Sequence, residues 1–325
     1  MKPSAKRSSG ILSLAQLLEH RPDSPAALIE PALLPASGIL FVGGEPKVGK
    51  SLLVANLALA LASGSSRAGF HVPAARRVLV CQFELPTAHF AARLAPMRKP
   101  IGSAADSHFF VDTEAAGHLL SAPRGLDHFL GAIREVSAEA VILDPLYSTH
   151  DQDENDTRAM AALCQTLLRL RDASGAALIV VHHVRKSVGR WEIGSAFRGS
   201  SALHAVGDSY LLLARPAPQI PTVELRFQFR YAPAQEPRLL DLNAATLWFE
   251  PSSSTPAPVP AKRKVEPSDV ARAVATAGTA RFNQLRDQIM VQSQCSKRTA
   301  QLAIRRACDS GSIVSHNGQY RLPLS

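Results

Sequence analysis

The stretch GEPKVGKS, residues 44–51, decides the fold of this chain. It has the spacing G-x-x-x-x-G-K-[ST], follows a short apolar run and precedes an alanine- and leucine-rich helical pattern. Glycines let the backbone curl so that successive N–H groups point inward, and the start of the helix adds partial positive charge. The stretch is therefore predicted to cradle phosphate with Gly44, Glu45, Pro46, Lys47, Val48, Gly49, Lys50 and Ser51.

Two side chains of this loop have predicted roles in nucleotide binding. Lys50 is expected to reach the β- and γ-phosphates of a nucleoside triphosphate, and the Ser51 hydroxyl to complete the shell of a Mg²⁺ ion. ATP and Mg²⁺ are therefore the expected cofactors. The alternative is a chance glycine-rich turn.

Short apolar runs alternate with helical stretches around the loop. Nearly continuous hydrophobic strands separated by helices are typical of a parallel sheet covered on both faces, so an α/β fold is predicted. The predicted strands are Ile39–Val42, Val78–Phe83, Phe109–Val111, Ala140–Leu143, Ala177–Val181 and Ser209–Leu213, followed by antiparallel edge strands at Val223–Phe229 and Leu247–Phe249. The predicted helices are Leu12–Leu18, Lys50–Ala62, Thr87–Leu94, Leu126–Val136 and Asp156–Ser174, the last capped by Asn155 or Asp156.

Polar residues end three of these strands. Asp144 follows four apolar residues, as expected of a carboxylate that orients Mg²⁺, although it could merely cap the next turn. Glu84 ends a second strand and is the candidate base for hydrolysis, the alternative being a surface acid that starts the next helix. His182 and His183 end a third strand and point to opposite faces, so at most one can touch the γ-phosphate. His183 is the candidate, and a core histidine is the alternative.

Charge and proline content differ between parts of the chain. Lys and Arg number 36 against 27 Asp and Glu, a net charge of +9, and 46% of residues are hydrophobic, which excludes a disordered polymer. The 65 residues from Ala261 carry +7, so the remaining 260 carry only +2. Residues 251–267, PSSSTPAPVPAKRKVEP, contain five prolines and predict a linker. The predicted parts are an arm at 1–37, an α/β domain at 38–250, the linker, and a basic domain at 268–325.

The basic domain has the pattern of a winged helix. Three helical stretches are predicted at Asp269–Ala277, Arg281–Met290 and Ser296–Ser310, with Ser268 and Ser296 as caps. Residues 313–322 then predict a hairpin with an Asn-Gly turn. The third helix is expected to bury Leu302, Ile304 and Ala307. Its outward side is expected to contact duplex DNA through Lys297, Arg298, Gln301 and Arg305, and the alternative is a winged helix that binds protein.

The phosphate loop, the polar strand ends and several segments around them resemble the RecA-like ATPases. Within that family they are most similar to small plasmid-encoded hexameric replicative helicases. The resemblance covers roughly residues 25–250. It rests on FVGGEPKVGKS (41–51), FELPTAHFAARL (83–94) with Glu84 and Arg93, VILDPL (141–146), DQDEND (151–156), VVHHVRK (180–186) and FRGSSAL (197–203). The phosphate loop is common to many classes, whereas HHVRK followed by RGSSAL is far more specific. The chain has Leu85 where the family often has an acid.

This resemblance implies a hexameric ring with ATP between neighbouring subunits. Arg198 would act as an arginine finger in the next subunit's site. Arg185, Lys186 and Arg190 would contact single-stranded DNA in the central channel, the alternative being a solvated basic loop.

The leading hypothesis is a ring-forming, ATP-driven DNA helicase or translocase of a plasmid or other mobile element. The alternative is a DNA-binding regulatory or loader ATPase whose nucleotide state gates oligomerisation without unwinding. A weaker third possibility is a recombinase-like filament former. No signal peptide or membrane span is expected, and four cysteines without a CxxC pair argue against zinc and disulfides, so a cytoplasmic protein without a membrane partner is predicted.

Overall fold

A long twisted sheet forms the centre of the first of two units. The computed structural model describes residues 11–19, 26–184, 193, 197, 201–216, 222–254, 265–293 and 295–323. Within these residues the chain divides into one compact unit before the proline-rich segment and a second one after it.

The sheet of the first unit has nine strands in its described part. They are β1 (Ile39–Gly44), β2 (Val78–Gln82), β3 (Phe109–Asp112), β4 (Ala140–Asp144), β5 (Ala177–His183), β6 (Ser209–Ala214), β7 (Thr222–Phe229), β8 (Arg238–Leu242) and β9 (Phe249–Pro251). Their order is β3-β2-β4-β5-β1-β6-β7-β8-β9. Neighbours from β3 to β6 are parallel, and β7, β8 and β9 follow as antiparallel strands, of which β7 and β9 were predicted. β8 was not predicted.

Helices cover both faces of the sheet. They are α2 (Lys50–Ser63), α3 (Thr87–Arg98), α4 (Pro123–Val136), α5 (Thr157–Ser174) and the short α6 (Ser201–Val206), preceded by an exposed α1 (Leu14–Glu19). Alternate residues of β1 enter two separate cores: Leu40 and Val42 pack on the side of α2, while Phe41 packs on the side of α4 and α5. Such two-sided burial explains why the parallel strands are apolar throughout. The α/β fold is thus confirmed.

The last loop of the sheet is fixed to α2 by a buried amide. Asn56 is fully buried; its Oδ1 accepts a hydrogen bond from the Phe249 N–H at 2.7 Å, and its Nδ2 donates to the Leu247 carbonyl at 3.1 Å. Trp248 donates from Nε1 to the Met97 carbonyl at 2.7 Å. These contacts place Phe249 against the start of α2.

The described residues of the second unit form three helices and a small antiparallel sheet. They are α7 (Pro267–Ala277), β10 (Ala280–Arg281), α8 (Phe282–Gln292), α9 (Lys297–Asp309), β11 (Val314–His316) and β12 (Gln319–Arg321), with strand order β10-β12-β11. Asn317 and Gly318 have φ angles of 49° and 74°, so the turn between β11 and β12 is the two-residue type predicted from Asn-Gly. Ser296 caps α9 by accepting from the Thr299 N–H at 3.1 Å.

Two expectations for this unit are wrong. Leu302 is 43% exposed, because the buried stripe of α9 runs through Ala300, Ala303, Ile304 and Ala307 and leaves residue 302 outside it. Ser268 is not the cap of α7: the helix begins one residue earlier, at Pro267, and its N-cap is Glu266, in a capping box with Asp269.

Candidate functional site

The carboxyl ends of β1, β2, β4 and β5 bring the candidate residues together. The phosphate loop joins β1 to α2, with Gly49 at φ 112° as N-cap and no side-chain cap on α2 among the described residues. The first amides of α2 therefore remain available to an anion. A Cβ at Gly49 would lie 3.1 Å from the Phe249 ring, and one at Gly44 would lie 2.7 Å from the Leu213 carbonyl, so both positions require glycine.

Lys50 is buried at the base of this loop. Its Nζ donates to the Gly44 and Glu45 carbonyls at 2.9 and 3.0 Å and lies 2.9 Å from His183 Nδ1. Burial lowers the pKa of Lys50 to about 8, while the charges of Asp144 and Glu84 act in the opposite direction. The ammonium is therefore mostly charged at pH 7 and contacts both the loop and the end of β5.

Ser51 and Asp144 form a pair of oxygen donors. The Ser51 hydroxyl donates to Asp144 Oδ1 at 3.1 Å, and Gln82 Nε2 lies 3.4 Å from Oδ2. Burial raises the pKa of Asp144 to about 6, opposed by the hydrogen bond from Ser51, so the carboxylate is mostly ionised at pH 7. A hydroxyl and a carboxylate in contact beside a phosphate loop are the ligands that Mg²⁺ prefers, and these residues fit that ion.

Glu84 stands just beyond β2, on the same edge as Asp144. Its N–H donates to Gln82 Oε1 at 2.8 Å, and its carboxylate accepts a hydrogen bond from the Tyr147 hydroxyl. Gln82 thus joins the backbone of Glu84 to the carboxylate of Asp144. Sequence reasoning missed both Gln82 and Tyr147, although Gln82 is a polar residue at the end of an apolar strand and so offered a signal.

The two histidines of β5 face opposite sides, as predicted. His183 contacts Lys50 and packs on the Tyr147 ring, with centroids 5.3 Å apart. His182 stacks on Phe197 with centroids 6.2 Å apart, and its Nδ1 is buried without a hydrogen-bond partner in the described part of the chain. Burial lowers the pKa of His182 to about 4, so this ring is neutral. The strand therefore presents His183, and not His182, to the phosphate loop.

The remaining candidates are those predicted to contact DNA or to act as an arginine finger. Arg185, Lys186, Arg190 and Arg198 lie outside the described residues. Lys297, Arg298 and Arg305 are exposed on α9 and Gln301 is half-buried. No group of three or more His, Cys, Asp or Glu side chains suited to a metal occurs in the described ranges.

The four cysteines are unpaired. Cys81 and Cys164 are buried, and Cys295 and Cys308 are partly buried. A survey of the described helices finds none with both the length and the apolar character needed to cross a bilayer.

Comparison with known proteins agrees with this geometry. A family model described as "AAA domain" (AAA_25) matches residues 3–189, more than half of the chain. The chain belongs to this AAA domain family. The match contains the phosphate loop, Glu84, Asp144 and His183, so this AAA domain holds the whole described cluster. A search of curated proteins finds no match.

Solved structures share the fold of this AAA domain protein at low sequence identity. A structure described as an "ATPase Domain" superposes with a TM-score of 0.51 at 14% identity, over 67% of this chain and 86% of that one. A "DnaB-Like Replicative Helicase" described with its primase interactions gives 0.53 at 13% identity, over 66% of this chain and 57% of that one. A "KaiC-like protein PH0186" from Pyrococcus horikoshii OT3 gives 0.46 at 10% identity, over 68% and 94% of the two chains. The first two superpositions and the family match show a RecA-like ATPase fold, and the chain spans little more than half of that replicative helicase.

Proposed function

We propose that this chain is an ATP-dependent, ring-forming DNA helicase or translocase that serves the replication of a plasmid or other mobile element in the cytoplasm. The observation that carries the proposal is the cluster of Lys50, Ser51, Asp144, Glu84 and His183 at one edge of a RecA-like sheet. A hydrolase for nucleoside triphosphates needs these groups: a cation and free amides for phosphate, a metal ligand pair and a base. The fold shared with a DnaB-like helicase supports DNA as the partner.

Each residue has a separate task in the proposed hydrolysis. Residues 44–51 hold the phosphates of ATP through backbone amides, and Lys50 neutralises charge on the β- and γ-phosphates. Mg²⁺, held by Ser51 and Asp144, would withdraw charge from the same phosphates. Glu84 accepts a proton from the attacking water, and His183 contacts the γ-phosphate and registers its loss. Arg198 of a neighbouring subunit stabilises the charge on the leaving phosphate.

DNA contact is proposed at two places. Arg185, Lys186 and Arg190 would contact single-stranded DNA in the ring's channel. The second unit, with helices before a two-stranded wing, is proposed to be a winged helix that holds duplex DNA. Four cations of α9 support this role, since none has an ion pair or side-chain hydrogen bond with another described residue. They are Lys297, Arg298, Arg305 and Arg306.

Strand separation is the decisive experiment. The full chain is incubated with Mg²⁺, ATP and a forked duplex, and Lys50→Ala serves as the inactive control. The helicase proposal predicts ATP-dependent separation by the wild type alone. DNA-stimulated ATP hydrolysis without separation would refute unwinding and favour the loader alternative, which the separate basic unit also suits.

Two further experiments examine the ring and the second unit. Wild-type subunits are mixed with Arg198→Ala subunits. The fractional loss of ATPase activity should exceed the fraction of variant subunits in the mixture, because each variant disables its neighbour's site. Strictly proportional loss contradicts a finger acting between subunits. Removal of residues 261–325 should weaken duplex binding and leave basal ATP hydrolysis intact, and unchanged duplex affinity rejects the winged helix as a DNA-binding unit.

A further inference from the structure

A continuous set of contacts crosses the site from the phosphate loop to Glu84. Lys50 Nζ lies 2.9 Å from His183 Nδ1, the His183 ring packs on Tyr147 at 5.3 Å, and the Tyr147 hydroxyl donates to the Glu84 carboxylate. Tyr147 therefore touches both the candidate base and the candidate sensor of the γ-phosphate. Neither the sequence motifs nor the family match gives this residue a role.

Tyr147 is carried on a well-anchored turn. The turn Leu146–Thr149 is separated from Asp144 by Pro145 alone, and its first and last residues are fully buried. The Thr149 hydroxyl donates to the Leu146 carbonyl at 2.7 Å, which closes the turn. The tyrosine itself is 43% exposed at the mouth of the site. Its ring is thus carried on a fixed turn, while its hydroxyl contacts the Glu84 carboxylate.

Glu84 needs such a partner because its own side chain is exposed. Its backbone is held by Gln82, but among the described residues the carboxylate has Tyr147 as its hydrogen-bond donor. The hydrogen bond to Glu84 raises the pKa of the Tyr147 phenol, which therefore stays protonated and able to donate at neutral pH. A carboxylate fixed at one oxygen keeps its second oxygen free to accept a proton from water.

We infer that Tyr147 is a positioning residue that holds the Glu84 carboxylate in place for ATP hydrolysis and joins it to His183. The inference rests on the proposed hydrolytic function. It predicts that the Tyr147 hydroxyl acts on turnover through Glu84 and not on nucleotide binding, since its hydrogen bond in the described structure goes to Glu84 and not to Lys50 or Ser51.

The test is steady-state ATP hydrolysis by the full chain carrying Tyr147→Phe, which removes the hydroxyl and keeps the ring against His183. A hydrogen bond to a charged acceptor corresponds to roughly a 10- to 100-fold effect, so kcat should fall by this factor with KM unchanged. Tyr231→Phe is the matched control, because Tyr231 is 65% exposed and has no contact with the described site. Its kcat and KM should equal those of the wild type.

A double-mutant cycle with Glu84→Gln separates positioning from general damage. If Tyr147 acts through the carboxylate, Tyr147→Phe lowers single-turnover hydrolysis in the wild type but has no further effect in Glu84→Gln. An equal loss in both backgrounds, an unchanged kcat or a raised kcat overturns the inference. A wild type that hydrolyses no ATP refutes the proposed function and the inference together, whereas an active wild type with an equally active Tyr147→Phe refutes the inference alone.

Discussion

Nucleotide affinity is expected to decrease as the pH rises above 8. Burial lowers the pKa of Lys50 to about 8, so at pH 9 only about a tenth of the free protein carries the ammonium. The phosphates of a bound nucleotide favour the charged form and raise that pKa. Binding above pH 8 therefore takes up a proton, and the affinity should approach a loss of about tenfold for each pH unit.

The assay is a titration of the full chain with a fluorescent ATP analogue and Mg²⁺ between pH 7 and 9.5, with circular dichroism to verify the fold at each pH. Affinity at pH 9 should be about tenfold weaker than at pH 7. Lys50→Arg is the control, because a guanidinium stays charged throughout this range, and its affinity, though weaker at neutral pH, should not depend on pH. A wild-type affinity that is constant from pH 7 to 9.5, or a Lys50→Arg variant with the same slope, refutes the reasoning.

The same burial predicts an effect of opposite sign on stability. The folded-state pKa of Lys50, about 8, lies below its ordinary value of 10.5, so the unfolded chain binds more protons between these two values. Below pH 8 the charged lysine therefore destabilises the fold by about 3 kcal/mol, and this penalty disappears as the pH approaches 10.5. Lys50→Met should unfold at higher denaturant concentration than the wild type at pH 7 while it loses nucleotide binding. A less stable Lys50→Met variant contradicts this account.

Three further predictions concern packing and DNA contact. Ile304→Ala should lower the free energy of unfolding of the second unit by about 2–4 kcal/mol, and Leu302→Ala should lower it by less than about 0.5 kcal/mol, because Ile304 is buried and Leu302 is exposed. Urea denaturation measures both values, and equal effects would contradict the observed buried face of α9. Asn56→Leu should destabilise the first unit by about 2–5 kcal/mol in the same assay, since the buried Phe249 N–H and Leu247 carbonyl lose their partner. Arg298→Ala should weaken duplex binding and reduce the slope of log affinity against log salt concentration by about 1. Arg286→Ala is the control and should change this slope less, because the Arg286 guanidinium pairs with Asp287 at 2.6 Å. The reverse order would exclude α9 as the DNA-binding face.

Local patterns made the phosphate loop, Asp144 and most strands predictable. Each depends on residues adjacent in sequence: an apolar run fixes a buried strand, and Gly49 fixes a turn that no other residue adopts readily. The proximity of Glu84 to Asp144 followed from one further rule, that parallel strands end at the same edge. β8 was missed because its five residues, RLLDL, are short and lie between loop segments without strong alternation.

Long-range polar contacts were beyond the sequence patterns. Gln82 and Asp144 are 62 positions apart and Glu84 and Tyr147 are 63 apart, so no local spacing indicates either pair. The error at Leu302 has a different cause. Three of the four buried residues of α9 are alanines, so the packed face has a weak hydrophobic signal. Leu302, a larger apolar residue beside this face, was therefore predicted to be buried.

Sheet order explains why His183 lies where a phosphate sensor is needed. β5 lies between β1, which leads into the phosphate loop, and β4, which ends in Asp144. A side chain at the carboxyl end of β5 that faces the phosphate loop is therefore held between Lys50 and Asp144, whatever the conformation of the surrounding loops. His183 meets this condition with its contact to Lys50, and His182 does not, because it points to the opposite side. Residue 185 follows His183 by only two positions, and with it begins the basic sequence proposed to contact DNA. In the proposed mechanism, the γ-phosphate sensor and the first of the proposed DNA contacts are therefore two positions apart in the sequence.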